Sequence, residues 1–170
     1  MKIIGANFKM NFKKDDINNY LGFIKDKIPM ESIIFFPSDL YIESFTKNNY
    51  LVGSQNISFQ EFGAITGDTS ILQLKELGIK YTLIGHSERR KYFNDDNYIA
   101  DKIKLALKND IIPVLCIGES LEEYENNCLF LSRVAIRYIP IFSLRTPSIY
   151  PQALFPFIPT KSSGWYVVYP

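Results

Sequence analysis

A chain of 170 residues with 46% hydrophobic and 22% charged residues is long enough to form one domain with its own core. Its net charge of +1 gives no indication of nucleic acid or an anionic membrane surface as a partner. One histidine and two cysteines, Cys116 and Cys128, make no zinc-site or disulfide pattern, so we expect a reducing, cytoplasmic setting. The N-terminal segment turns polar after six residues, and we expect no signal peptide there.

Short apolar runs alternate with helix-patterned stretches along the first 127 residues. The apolar runs predict strands at 2–8, 32–36, 50–55, 80–85 and 111–118. Helices are predicted at 14–27, from about Asp39 with a cap at that residue, at 70–78, at 95–108 and from the start of SLEEYEN (120–126). Nearly continuous apolar strands that alternate with helices indicate a parallel sheet covered by helices.

Polar or glycine residues lie at or directly after the ends of the predicted strands: Asn7 and Lys9, 54–56, His86, and Gly118 with Glu119. In parallel α/β folds, ligands bind outside the carboxyl ends of the strands, so these residues are candidates for a functional site. His86 is the only histidine of the chain. Its position alone fits a half-buried structural histidine as well as a catalytic one, and both interpretations stay open on this ground.

Four segments in order and at matching spacing resemble the triosephosphate isomerase family: GANFKMN (5–11), GSQNIS to GAITGDTS (53–70), IGHSERR (84–90) and VLCIGESLEE (114–123). The resemblance covers about residues 1–127. It implies a (β/α)₈ barrel, a homodimer and the interconversion of dihydroxyacetone phosphate and glyceraldehyde 3-phosphate in glycolysis and gluconeogenesis. It implies no metal and no organic cofactor.

The resemblance also implies roles for single residues. His86 matches the electrophile, a neutral imidazole whose pKa is lowered in this family by a helix N-terminus. Lys9 matches the substrate-binding lysine, and Asn7 the asparagine beside it. The SERR run after His86 is compatible with a helix start, where Ser87 and Glu88 would supply polar caps. Four residues match positions around the site: Ser87, Glu88, Cys116 and Glu119.

Two other chemistries are less favoured. A Schiff base on Lys9 requires a desolvated amine with a lowered pKa, and nothing in the sequence indicates one. A nucleophilic pair of Cys116 with His86 is disfavoured because the flanking VLCIG is apolar, which favours a small buried cysteine.

The stretch 55–70, which begins at Gln55, contains turn residues and little periodicity, so it is predicted to be a long loop. In the family the matching loop, with Thr66 at the matching position, inserts beside the active site of the partner subunit. This supports a homodimer if the fold is complete. No membrane or nucleic acid partner is expected.

The sequence departs from the family after residue 127. It supplies about five βα units, so the predicted fold is a truncated (β/α)₈ TIM barrel followed by an irregular apolar C-terminal tail. The tail lacks the general-base glutamate, the hinged lid and the later phosphate loops. General-base catalysis contributes about 10²–10⁴-fold, so we expect this chain to be inactive as written.

Residues 128–170 differ in composition from 1–127, because all 18 acidic residues lie at or before Glu125 and six of the nine prolines follow Cys128. Arg133 and Arg137 make a membrane span at 128–144 an unfavourable interpretation. The simultaneous loss of acids and motifs suggests out-of-frame translation; natural divergence and an unrelated fusion are the alternatives.

The function predicted from the sequence is thus triosephosphate isomerase by family, with His86, Lys9 and Asn7 retained. The alternative from another class is a non-catalytic fragment or interaction module that pairs through the loop 55–70. A phosphosugar-binding half-barrel is a third, weaker interpretation.

Overall fold

The computed structural model describes residues 3–27 and 33–116, together with two short strands, 141–142 and 165–168. The strands are β1 (Ile3–Asn7), β2 (Ile33–Phe36), β3 (Leu51–Ser54), β4 (Tyr81–Ile84), β5 (Ile112–Leu115), β6 (Ile141–Phe142) and β7 (Trp165–Val168). The α-helices are α1 (Lys14–Ile24), α2 (Ile42–Thr46), α3 (Ile71–Glu76), α4 (Ser87–Phe93) and α5 (Ile99–Lys108). Each of the five predicted strands is present, and its described ends lie within one residue of the prediction, except that β5 ends at Leu115.

The first five strands form one curled, parallel sheet in the order β5-β4-β3-β2-β1. Each strand pairs with the strand that precedes it in the chain. A doubly wound sheet would reverse its order part-way, whereas a barrel adds each strand beside the last. This order therefore matches the predicted truncated (β/α)₈ barrel.

Two short segments of the predicted irregular tail are strands. The strand β7 pairs antiparallel with β1, with Ile3 opposite Val168 and Ala6 opposite Trp165. The strand β6 pairs antiparallel with β7. Together they occupy the free edge of β1, which satisfies backbone groups that an open edge would expose.

Helix boundaries differ from the sequence prediction in several places: α1 ends at Ile24 rather than at residue 27, and the helix predicted at 95–108 is a 3₁₀ turn at 95–98 followed by α5. The hydroxyl of Ser70 accepts the amide of Leu72 at 3.2 Å and caps α3, and Gly78 follows that helix with a φ of 74°. Asp39, the predicted cap of the second helix, does not cap it. Its carboxylate instead accepts the hydroxyl of Thr69 at 2.5 Å, and a short 3₁₀ turn at 39–41 precedes α2.

The core has two parts because buried side chains lie on both faces of the sheet. Between the sheet and its helices lies an aromatic cluster: Phe8, Tyr20, Phe35, Phe45 and Tyr50. The opposite, concave face carries a second cluster: Ile34, Phe36, Leu83, Val114 and Cys116. Burial on both faces explains why the strands are apolar at nearly every position.

The helix α5 packs Ile99 and Ile103 of its four-residue apolar spacing against the core, but not Leu107. Leu107 is 61% exposed, whereas Lys102 is 2% exposed. The reason is that Lys102 is paired with Asp95, which is also buried, so its charge is compensated inside the protein.

Several predictions fall outside the described residues: the end of the fifth strand at 117–118, the helix from residue 120, Glu119, Arg133 and Arg137. Within the described part of the chain, no helix has the length and apolar character needed to cross a membrane.

Candidate active site at the carboxyl ends of the strands

The residues that follow β1, β3 and β4 meet at one edge of the sheet. The backbone of Lys9 lies in the left-handed region with a φ of 52°, which costs a non-glycine residue about 1 kcal/mol or more. The side-chain oxygen of Asn7 accepts the Lys9 amide at 2.9 Å and holds this turn. Asn7 therefore shapes the backbone from which the Lys9 side chain projects.

Gln55 braces the same turn from the end of β3. Its side-chain amide donates to the carbonyl oxygen of Lys9 at 2.8 Å and to that of Phe36 at 2.9 Å. The amide thus ties the ends of three strands together within one chain. The sequence analysis placed Gln55 among the strand-end candidates at 54–56 and in the loop 55–70, but it did not predict that Gln55 holds Lys9.

His86 is buried, at 5% exposure, and begins α4. Its Nδ1 atom accepts the backbone amide of Glu88 at 3.2 Å. An imidazole nitrogen that accepts a hydrogen bond carries no proton, so the neutral ring holds its proton on Nε2. The sequence analysis expected Ser87 and Glu88 to cap this helix; the cap is instead the imidazole of His86, and Ser87 is exposed.

Burial lowers the pKa of His86, and the positive charge of Lys9 lowers it further, whereas the negative charge of Glu88 opposes both effects. Burial is the largest cause, because a low-dielectric environment disfavours the charged imidazolium. The ring is therefore neutral at pH 7.

Glu88 lies between the two candidate substrate-binding groups. Its Oε1 accepts the Lys9 ammonium at 2.7 Å, and its Oε2 is 3.5 Å from Nδ1 of His86. The Lys9 side chain is 16% exposed and that of Glu88 47% exposed. The carboxylate fixes the position of the lysine ammonium beside the neutral imidazole, so an ion pair and the ring lie together at the site.

Arg90, which the sequence analysis did not single out, joins the ends of β4 and β5. It donates to the carbonyl of Gly85 at 2.6 Å and to that of Cys116 at 3.1 Å, and it pairs with Asp96. Gly85 has a φ of 70°, and an added Cβ would lie 2.9 Å from Arg90, so glycine is required here. Arg90 thus fixes the backbone of Gly85, the residue directly before His86.

Cys116 is 5% exposed, and burial raises the pKa of its thiol to about 12. A thiol with this pKa is protonated at neutral pH, and the thiolate is the form that attacks electrophiles. Its sulfur lies 3.8 Å from the carbonyl of Val114. This environment agrees with the structural interpretation of Cys116 and argues against a nucleophilic cysteine.

Among the described residues, no group of three or more histidine, cysteine, aspartate or glutamate side chains could hold a metal ion. Thr66 is exposed near the tip of the loop 55–70, away from the strand ends.

Comparison with known proteins identifies the family of this chain. The triosephosphate isomerase family model matches residues 2–134. The chain belongs to the triosephosphate isomerase family. A triosephosphate isomerase of Leptospira interrogans (strain Fiocruz L1-130) is 32% identical over 97% of this chain and 78% of the relative. One from Alkaliphilus oremlandii is 38% identical over 75% of this chain and 54% of the relative.

A third relative, from Leptospira borgpetersenii serovar Hardjo-bovis (strain JB197), is 40% identical over 75% of this chain and 55% of the relative. The chain therefore spans little more than half the length of the second and third relatives. Family membership agrees with the parallel, consecutively ordered strands and with the histidine that follows β4.

Proposed function

We propose that the residues at the carboxyl ends of β1 and β4 form the triose phosphate site of a triosephosphate isomerase. In this proposal His86 donates a hydrogen bond to the substrate oxygens, while Lys9 supplies positive charge and Asn7 fixes the Lys9 backbone. The observation that carries the proposal is the amide of Glu88 donating to Nδ1 of His86 at 3.2 Å, because it leaves the proton on Nε2.

Isomerisation between a ketose and an aldose requires a proton to leave one carbon and negative charge to develop on oxygen. A neutral imidazole that donates from Nε2 stabilises such an oxyanion without protonating it fully. The ammonium of Lys9, held beside the ring by Glu88, adds positive charge in a partly buried site. A single pre-positioned donor of this kind is typically worth about 10²–10³-fold in kcat.

We further propose that this chain does not catalyse the isomerisation. The reaction needs a base at the substrate carbon, and residues 126–170 contain no aspartate or glutamate. The oxygens of Glu88, a carboxylate of the described site, face Lys9 and His86. Loss of a general base generally costs about 10²–10⁴-fold. The alternative of a non-catalytic interaction module unrelated to an isomerase is not favoured, because the family match extends over residues 2–134.

A binding titration tests the site. His86 is the only histidine, so a sample labelled with ¹⁵N-histidine gives ring signals from one residue. At pH 7.5, dihydroxyacetone phosphate should shift the Nε2 signal of the chain, and Lys9→Met should weaken binding at least tenfold. Lys14→Met, at an exposed lysine of α1, is the matched control and should bind as the wild type does. An Nε2 signal that does not move at 20 mM ligand (about the weakest binding worth testing) would contradict the proposal.

We also propose that the chain pairs with a second copy through the loop 55–70. The loop is held against α5: Glu61 accepts the Lys108 ammonium and the Asn109 amide, each at 3.0 Å. Phe62 of this loop is 74% exposed, and Thr66 is exposed as well. A large exposed aromatic side chain on a braced loop is typical of a subunit contact. Light scattering should show a dimer for the wild type and a monomer for Phe62→Ser; two dimers would contradict this.

The composition change after residue 127 supports a separate proposal, that residues 128–170 arise from out-of-frame translation. The match to the L. interrogans protein over 97% of this chain counts against it. The intact mass of the protein expressed from its native gene decides the matter. A mass of 19.7 kDa identifies the tail as the natural product, and a different mass supports the frame change. In either case we propose a cytoplasmic location, as expected for an enzyme of central metabolism.

A further inference from the structure

A buried ion pair lies behind α4, away from the side chains of the candidate active site. The ammonium of Lys102 is 2.5 Å from Oδ1 of Asp95, and both residues are 2% exposed. The same ammonium donates to the side-chain oxygen of Asn56 at 2.9 Å. The guanidinium of Arg89 approaches the same Asp95 oxygen at 3.7 Å. We call these four side chains the buried network.

The buried network ends on both sides next to a residue that holds Lys9. Asn56 directly follows Gln55, whose amide holds the Lys9 carbonyl at 2.8 Å. Arg89 directly follows Glu88, whose carboxylate holds the Lys9 ammonium at 2.7 Å. The contacts therefore close a ring that runs from the Lys9 backbone through the buried network and α4 to the Lys9 side chain.

The energetic cost of this ion pair indicates that it positions neighbouring residues more than it stabilises the fold. Removing two charges from water costs several kcal/mol per ion, and well-packed apolar residues often stabilise a core at least as well. In the described part of the chain, Oδ2 of Asp95 and Nε of Arg89 are buried without hydrogen-bond partners, which adds to the cost. Unlike the ion pair, an apolar pair would not fix the distance between the loop after β3 and the first turn of α4.

We propose that Asp95 and Lys102 are positioning residues for the candidate active site. They hold the amide of Glu88 on Nδ1 of His86 and the Glu88 carboxylate on Lys9. The catalytic purpose of this positioning rests on the proposed function. The positioning itself can be measured without substrate or turnover.

The test uses the single histidine. In ¹⁵N-histidine spectra at pH 8, the wild type should show almost all of its His86 as the Nε2–H tautomer. Asp95→Asn and Lys102→Met each loosen α4 and weaken a hydrogen bond to Nδ1. The ratio of Nε2–H to Nδ1–H forms should therefore fall about fivefold in both, the equivalent of one ordinary hydrogen bond. A simple long-range charge effect would shift the two variants in opposite directions.

Matched controls lie on the exposed side of α5, the helix that carries Lys102. Asp101 and Lys104 form an ion pair at 3.5 Å with side chains 59% and 78% exposed. The variants Asp101→Asn and Lys104→Met should give spectra that overlay the wild type. Circular dichroism and thermal melting establish that each variant is folded.

If the single variants do not fold, the double variant Asp95→Leu with Lys102→Met replaces the pair by apolar groups without a change in net charge. It should fold and show the same change of tautomer. His86 spectra that overlay the wild type in a folded variant of the pair would overturn the proposal. Failure of the triose phosphate titration, with the tautomer change still present, would overturn the proposed function and leave this inference standing.

Discussion

Replacement of Gln55 by methionine tests how the Lys9 turn is held. Methionine keeps the length of the side chain and removes both N–H donors, which now reach the carbonyls of Lys9 and Phe36 at 2.8 and 2.9 Å. The Phe36 carbonyl also accepts the amide of Phe8 at 3.1 Å, so it keeps a partner. Loss of the hydrogen bond to the Phe36 carbonyl therefore costs about 1 kcal/mol. Loss of the hydrogen bond to the half-buried Lys9 carbonyl costs about 1–2 kcal/mol.

The sum predicts that Gln55→Met lowers the free energy of unfolding by about 2–3 kcal/mol. Urea denaturation followed by circular dichroism at pH 7.5 measures this value. Gln60→Met is the matched control, because Gln60 is exposed in the same loop, and it should stay within about 0.5 kcal/mol of the wild type. Equal unfolding free energies for Gln55→Met and the wild type would refute the role assigned to this amide.

Three further results are expected. Gly53→Ala should destabilise the fold by about 1–3 kcal/mol, because the new Cβ would lie 2.2 Å from the ring of Phe36; Gly22→Ala, with no atom within 4 Å of its Cβ, should not destabilise it. Cys116 should resist iodoacetamide at pH 8 in the folded protein and react after unfolding in urea, as peptide mass mapping would show; rapid labelling of the folded protein would contradict its raised pKa. Because the pKa of His86 is lowered on folding, the unfolded chain binds more protons and stability should fall as pH drops below about 6.5. His86→Gln should reduce this dependence, and an unchanged pH profile of unfolding would contradict it.

Much of the sheet could be predicted because its physics is local. Five apolar runs separated by helix-patterned segments leave few arrangements other than parallel strands covered by helices. The sequence placed His86 and Lys9 at one edge of the sheet because each comes after an apolar run, and the carboxyl ends of parallel strands lie at one edge.

The rest depended on contacts between distant segments. No spacing in the sequence indicates that the amide of Gln55 reaches the carbonyl of Lys9, because that contact joins residues 46 positions apart. The burial of Lys102 contradicts the simple rule that lysines mark the exposed face of a helix. It becomes possible only because Asp95, which precedes the helix, is buried beside it. Asp39 was misread as a cap because its hydrogen-bond partner, Thr69, lies 30 residues away.

The central claim is the proposal that His86 and Lys9 serve as the electrophile and the lysine of a triosephosphate isomerase site, and that this chain supplies no base at the substrate carbon. The most direct test measures conversion of glyceraldehyde 3-phosphate to dihydroxyacetone phosphate by the purified chain, in parallel with His86→Gln purified by the same procedure. We predict rates for both that cannot be told apart from the uncatalysed background. Turnover by the wild type that His86→Gln abolishes would show that a base is present, and it would contradict the claim.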